Sequence, residues 1–290
     1  MLIRAATRGS ALARWQTDHV AALLRAVDPT VEVEVVVVET SGDHDRESSI
    51  AEIGGKGVFV KEVQTAVLDG RADIAVHSAK DLPAVTPDGL VIAAVPLRAD
   101  PRDAMVGSTV ADLRDSAVVG TGSARRRVQL SVLRPDVTFV ELRGNMDTRV
   151  RKAERDDVDA VVVAACALDR LGWSDRIAER LDVEAMVPQV AQGALAIECR
   201  VGDDARRALV ARIEQGDSRL CVDAERAFLD ELGGDCTLPA GAYAELHDGV
   251  VLLRAVLHDG TTLRRVEAEA QRSRIDDLAR STARHLLGQP

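Results

Sequence analysis

Arginine, lysine, aspartate and cysteine stand in this sequence where each could meet a ligand. In GTGSARRRVQL (120–130) three arginines follow a loop of small residues. A guanidinium is a planar fork that grips carboxylate or phosphate through two parallel hydrogen bonds. Four more short stretches share the pattern of polar residues placed after an apolar run. ATRGS (6–10) brings Arg8 and Ser10, and HSAKDLP (77–83) brings Ser78, Lys80 and Asp81. LRGNMDTR (142–149) brings Arg143 and Arg149, ALDRLG (167–172) brings Arg170, and the opening stretch contributes Ser123, Arg125 and Arg126. Backbone N–H groups at a helix start favour an anion. Cations there oppose the helix dipole, so Arg125 and Arg126 are poorly placed for stability alone. Five basic loops at strand ends imply a ligand with several negative charges. ATP binding through a phosphate loop is excluded: GGKG (54–57) lacks the remaining residues of that motif, with Ile50 and Gly57 where Gly and Ser or Thr are needed. A polycarboxylate fits better.

Two other residues carry chemistry. Asp81 is an acid within a basic set, and a fixed carboxylate there can stabilise a cation formed during reaction. Cys236, in LGGDCTLPAGAYA (232–244), follows two glycines and precedes Pro239, which predicts a stiff turn with the thiol at its tip. Cys166, Cys199 and Cys221 lie in apolar or helical contexts and are expected in the core. Neither the cysteines nor the six histidines show a zinc, CxxC or HExxH spacing, so no metal is expected.

The elements that must position these loops follow from the apolar pattern. Strands are expected at 3–6, 31–39, 73–77 and 90–95, with helices from Ser10 to Val27 and from Val58 to Leu68. The first helix is expected to bury Leu12, Trp15, His19, Ala22 and Leu23. The same grammar repeats with strands at 117–120, 137–142, 158–164 and 194–200. Helices are expected at 124–134, 145–155, 166–171 and 204–213. Alternation of this kind predicts α/β units with largely parallel sheets. The last third reads as a helix (222–232), three strands with Asp-Gly hairpin signals at 247–249 and 258–260, and a final helix at 274–287. The expected fold is α/β: two α/β domains facing a cleft, plus a small α+β C-terminal domain. The boundaries are 1–98 with 194–213, then 99–193, then 214–290.

The chain has 290 residues with a formal net charge of −10 and only 2% aromatic residues. Acidity and scarce aromatics argue against nucleic-acid binding. No apolar run reaches the about 18 residues of a membrane span, and MLIRAATRGS lacks the pattern of an export signal. A cytoplasmic protein is expected. Only four of the 37 basic residues are lysine, and three of those, Lys56, Lys61 and Lys80, lie between 56 and 80.

Taken in order, ATRGSALARWQ, GGKGVFVKE, ADIAVHSAKDLP, DPRDA, GTGSARRRVQL, LRGNMDTR, AQGALAIECR, AERAFL and GGDCTLPAGAYA resemble the porphobilinogen deaminase family. The resemblance runs from Arg4 to at least Tyr243. It implies two domains like those of periplasmic binding proteins and a third bearing the cofactor cysteine. It implies an enzyme that condenses four porphobilinogen units with loss of ammonia, giving hydroxymethylbilane for tetrapyrrole (haem or chlorophyll-type) biosynthesis. The chain grows on a dipyrromethane cofactor joined by a thioether, here to Cys236. By the same resemblance Asp81 is the catalytic aspartate. Lys80, Ser123, Arg125, Arg126, Arg143 and Ser78 contact the cofactor, and Arg8, Ser10, Gln16, Lys56, Arg149 and Arg170 contact substrate. A monomer that releases its product to uroporphyrinogen-III synthase is expected. Two departures stand out: Thr40-Ser41-Gly42-Asp43 replaces a T-R-G-D loop, and Arg127 extends the usual arginine pair. The rival readings are a non-enzymatic two-lobed polyanion-binding protein and a phosphate-handling enzyme.

Overall fold

Strand β1 (Leu2–Arg8) founds the first sheet, pairing in parallel with β2 (Glu32–Val38) and with β3 (Ile74–Ser78). The computed structural model describes residues 1–40, 60–155, 157–234 and 238–289. Strand β10 (Leu195–Arg200) inserts antiparallel between β3 and β4 (Leu90–Ala94), giving the order β2-β1-β3-β10-β4. Helices α1 (Ala11–Val27) and α6 (Asp204–Ala211) cover one face, through Val20, Leu24, Leu209 and Val210. Helix α2 (Lys61–Leu68) covers the other with Val63, Ala66 and Val67. These elements belong to one compact unit, residues 1–99 with 194–220.

The face α1 buries differs from the expected one. It turns Gln16, Thr17, Val20, Ala21 and Leu24 inward and leaves Trp15 exposed, stacked on His19 at 5.1 Å between ring centres. Two polar residues can face inward because each finds a partner. Gln16 Nε2 donates to Ser78 Oγ at 2.8 Å, and Thr17 Oγ1 donates to Ala13 O at 3.0 Å.

The second unit, residues 100–193 with 221–290, holds two sheets. In the first, β6 (Val118–Gly120), β7 (Thr138–Val140) and β8 (Ala160–Ala164) run parallel. Strands β5 (Asp103–Val106) and β9 (Glu179–Arg180) complete the order β7-β6-β8-β5-β9. β5 is antiparallel to both neighbours, as β10 is in the first sheet, so each α/β sheet is largely parallel, as expected, with one reversed strand. Every residue of β8 is buried, as a strand covered on both faces requires. Helix α3 (Ala124–Leu133) packs Leu130 on one face; α4 (Met146–Lys152) and α5 (Ala165–Arg170) pack Val150 and Leu168 on the other.

Helix α7 (Gly216–Glu231) leads to the second sheet, an antiparallel meander of β11 (Ala240–His247), β12 (Val250–His258) and β13 (Leu263–Gln271). The β11–β12 hairpin closes on Asp248-Gly249, both with positive φ, as a two-residue hairpin turn demands. Helix α8 (Ile275–Leu286) buries Ile275, Ala279, Ala283 and Leu286. Arg265 donates to the carbonyls of Glu184 and Ala185 at 2.8 and 2.9 Å, which ties β13 to the preceding sheet's loop.

Gly241 permits the tightest of these joins. A Cβ there would lie 2.5 Å from Pro188 O and 2.9 Å from Val187 O. Gly241→Ala is therefore expected to destabilise the protein by about 1–3 kcal/mol through overpacking against backbone. Thermal unfolding checks this; an unchanged melting temperature would show that the join can yield.

Candidate functional site

In the first unit the candidate residues gather at the C-terminal ends of β1 and β3, neighbouring parallel strands. Arg8 ends β1, and Ser10 caps α1, accepting from Ala13 N at 3.3 Å. Ser78 ends β3; Lys80 and Asp81 lie in the single helical turn that follows, both partly exposed. The Asp81 carboxylate makes no hydrogen bond or ion pair with the described residues, so its charge is not consumed by the Pro83 turn or by Lys80. Gln16, read from sequence as a substrate contact, is buried and donates to Ser78. Its place in the structure is behind the loop.

In the second unit the loops after β6, β7 and β8 carry the arginines, and the three strands are adjacent. Ser123 caps α3, accepting from Arg126 N at 3.4 Å, and Asn145 caps α4, accepting from Thr148 N at 3.0 Å. The loops after β6 and β7 touch: a Cβ at Gly122 would stand 2.9 Å from both Glu141 Oε1 and Leu142 O. Arg143 and Arg149 are half-buried, and Arg149 Nε donates to Gly144 O at 2.9 Å. Arg127 does more than face solvent: it donates to Thr121 O at 2.9 Å and pairs with Glu141, bracing the loop.

Arg125 and Arg126 depart most from expectation. Both are buried, and both converge on Asp103, which has 0% exposure. Arg126 donates from Nε and Nη2 to Asp103 Oδ1 at 2.9 and 2.7 Å, and from Nη1 to Val162 O at 3.0 Å. Arg125 Nη2 stands 2.8 Å from Asp103 Oδ2 as an ion pair, out of line for a hydrogen bond, while Nη1 donates to Val187 O at 2.6 Å. Burial alone would raise the Asp103 carboxyl; the charges of Arg125 and Arg126 outweigh it and hold the group far below the usual carboxylate range. Burial also pushes the Arg125 and Arg170 guanidiniums below their ordinary value. Gln192 donates to Asp103 at 2.9 Å and to Pro101 O at 2.7 Å, and Arg170 Nη2 donates to Gly193 O at 2.7 Å.

Two guanidiniums thus share one carboxylate. The cluster keeps a surplus positive charge, and Arg125 Nε and Nη2 are buried without a hydrogen-bond partner. Leaving such donors unmet is unfavourable, so this place fits an added anionic group. The sequence did not single out Asp103 or Gln192, although both sit inside the motifs DPRDA and AQGALAIECR. Neither shows alone, because an acid after a proline and a glutamine before a glycine are ordinary surface residues.

Lys56, Cys236 and the Ser41-Gly42-Asp43 departure lie outside the described residues. The residues on either side of Cys236 approach each other: a Cβ at Gly234 would come 2.0 Å from Leu238 Cδ1. The other three cysteines are buried. Among the described residues no acid, histidine and cysteine group could hold a metal ion, and no helix is long and apolar enough to cross a membrane.

Family models match nearly the whole chain. Residues 3–208 match the porphobilinogen deaminase dipyromethane cofactor binding domain, and residues 219–287 match the porphobilinogen deaminase C-terminal domain. The chain belongs to the porphobilinogen deaminase family. The porphobilinogen deaminase of Syntrophus aciditrophicus is 45% identical over 287 residues, covering 97% of this chain and 94% of the relative. That of Syntrophomonas wolfei is 41% identical over 292 residues, covering 99% and 95%. That of Sulfurimonas denitrificans is 46% identical over 258 residues, covering 87% and 82%. Among solved structures, the methionine-binding protein MetQ is 12% identical with a TM-score of 0.45, covering 75% of this chain and 91% of MetQ, too distant to add to the fold above.

Asp103→Asn is expected to lower the unfolding free energy by about 3–5 kcal/mol at neutral pH, since it strands two buried guanidiniums. A depressed carboxyl contributes stability above its unfolded pKa of about 4 and loses that contribution as pH falls further. The gap between parent and variant should therefore narrow below about pH 4. Urea titrations at several pH values check both parts; a gap independent of pH would contradict the charged pairing.

Proposed function

We propose that this chain condenses four porphobilinogen units head to tail into hydroxymethylbilane, losing one ammonia per unit, on a dipyrromethane cofactor joined to Cys236. The observation that carries this reading is the buried Arg125–Arg126–Asp103 cluster, with its surplus positive charge and unmet Arg125 donors. Each pyrrole unit brings an acetate and a propionate, so the growing chain is a polycarboxylate. The family match supports the substrate and the cofactor.

The residues divide by task. Ser78, Lys80, Ser123, Arg125, Arg126 and Arg143 hold the carboxylates of the cofactor. Of these, Arg125 has donors to spare, and Arg126 acts by fixing the cluster from which Arg125 reaches. Arg8, Ser10, Lys56, Arg149 and Arg170 receive the incoming substrate's carboxylates, and Gln16 steadies the loop from behind through Ser78. When bound, the dipyrromethane supplies a free pyrrole α-carbon as nucleophile. At each addition the substrate's aminomethyl C–N bond breaks and ammonia leaves. The Asp81 carboxylate stabilises the cation left on the substrate. A C–C bond then forms to the substrate's methylene carbon, and the proton on the attacking α-carbon is released. Hydrolysis frees the product after four additions.

The same reading makes residues 214–290 a third domain that presents the cysteine. It also places the protein in the cytoplasm as a monomer that releases its product to uroporphyrinogen-III synthase.

Intact mass is the direct test. The purified protein should exceed its polypeptide mass by two deaminated pyrrole units, and Cys236→Ser should not. A bare parent should gain mass in pyrrole steps when given porphobilinogen; a simple polyanion binder would gain none. Asp81→Asn should keep the fold and the cofactor mass yet lose about a hundredfold or more of turnover. Near-parental turnover would remove Asp81 from the role assigned.

A further inference from the structure

Strand β3 alternates its side chains between two cores. Ile74 and Val76 face α1, and Ala75 faces α2. At its C-terminal end the apolar pattern stops, and polar residues take over on both faces. On the α1 side Ser78 accepts from Gln16. On the α2 side stands His77, which is buried. Opposite it, β10 places Ala196 at His77 and Glu198 two residues along on the same face. Glu198 has 0% exposure. Gln64, on α2, donates to both of its oxygens at 3.1 and 2.9 Å, and His77 Nε2 lies 3.1 Å from Oε2, in contact but out of line for a hydrogen bond. A third restraint acts along the sheet, where Ala79 N donates to Ala194 O at 3.0 Å.

A carboxylate deep in an apolar core is expensive unless it is met by donors, and an apolar side chain of similar size would serve packing as well or better. The polar set therefore has a use other than stability. It sits where β3 becomes the turn carrying Lys80 and Asp81: the Gln64–Glu198 bonds join α2 to β10, and the buried His77 ring of β3 packs against the same carboxylate.

We propose that His77 and Glu198, with Gln64, are positioning residues that fix the end of β3 and so hold the Asp81 carboxylate in its working place. This rests on the reading that Asp81 stabilises the cation formed when ammonia leaves the substrate. Neither His77 nor Glu198 touches the reacting atoms. They act through the backbone of residues 78–82, and a misplacement of an ångström at a catalytic group is enough to cost about a hundredfold in rate.

The test uses holoenzyme of His77→Gln and of the double variant His77→Leu/Glu198→Leu, with three readouts. Replacing both partners by apolar residues keeps the core filled but leaves the buried Gln64 amide unmet, so the double variant should melt somewhat lower yet stay folded and keep its cofactor mass. Its kcat should fall about tenfold or more with KM within about twofold of the parent. His77→Gln, which keeps a donor, should lose less. Hydrogen exchange at the amides of Ala79 and Leu82 should quicken in the double variant, while the amides of β12 stay protected. Parental kcat together with unchanged exchange at Ala79 and Leu82 overturns the proposal. So does a KM rise without a fall in kcat. If the double variant does not fold, His77→Gln decides: parental kcat and parental exchange overturn the proposal. If the parent itself fails to turn over porphobilinogen, the functional reading falls, and the exchange data alone judge the positioning role.

Discussion

Asp103 holds the second unit's machinery in place. A single carboxylate, wholly buried, meets two guanidiniums that open helix α3. Without it those arginines would oppose the helix dipole and each other. With it they become anchored points: Arg126 reaches Val162 O on β8, and Arg125 reaches Val187 O. Gln129, one turn along α3, donates to Val187 O at 3.0 Å and accepts from Val187 N at 2.9 Å. Through Gln192 the same carboxylate joins the place where the chain enters this unit, Pro101, to the place where it leaves. Gly241 then lets β11 close over Val187 and Pro188. A buried charge cluster is rarely the most stable filling for a core. Its surplus positive charge is intelligible if the protein must hold a bound polyanion rather than maximise its own stability.

The first unit applies a related principle with different groups. There the charge that matters, Asp81, is left unpaired by the described residues while its supports are polar and buried. Gln16 from one helix bonds the end of β3 at Ser78, and Gln64 from another, on the opposite face, bonds Glu198 on the neighbouring strand β10. In both units, interior polar residues stand one layer behind the loop residues that a sequence motif makes conspicuous. In the function proposed, the conspicuous residues meet the ligand, and the layer behind decides where they stand.

Much of this was legible in the chain. The strand runs, the helix start at Ser10, the hairpin at Asp248-Gly249 and the loops at the ends of β1, β3, β6, β7 and β8 all follow from local patterns. Other features were not legible. β5 and β9 are four and two residues long, too short to show a period, and exist because a neighbouring strand offers hydrogen bonds. The antiparallel insertion of β10 and β5 is a matter of chain return, which no local pattern encodes. The buried face of α1 was misjudged because Gln16 and Thr17 look like surface residues until their partners are known.

The sequence by itself determined which side chains are available, where the helices and the longer strands fall, and which loops carry cations, because these depend on neighbours within a few positions. Only the tertiary structure decided what those cations do. Arg125 and Arg126 read as exposed ligand contacts until Asp103, more than twenty residues earlier, is brought beneath them on β5. His77 and Glu198 read as unremarkable members of two apolar strands until the sheet sets them side by side. The physical reason is the same in both cases. A charge's behaviour is fixed by what surrounds it within a few ångströms, and those surroundings come from chain segments far apart in sequence.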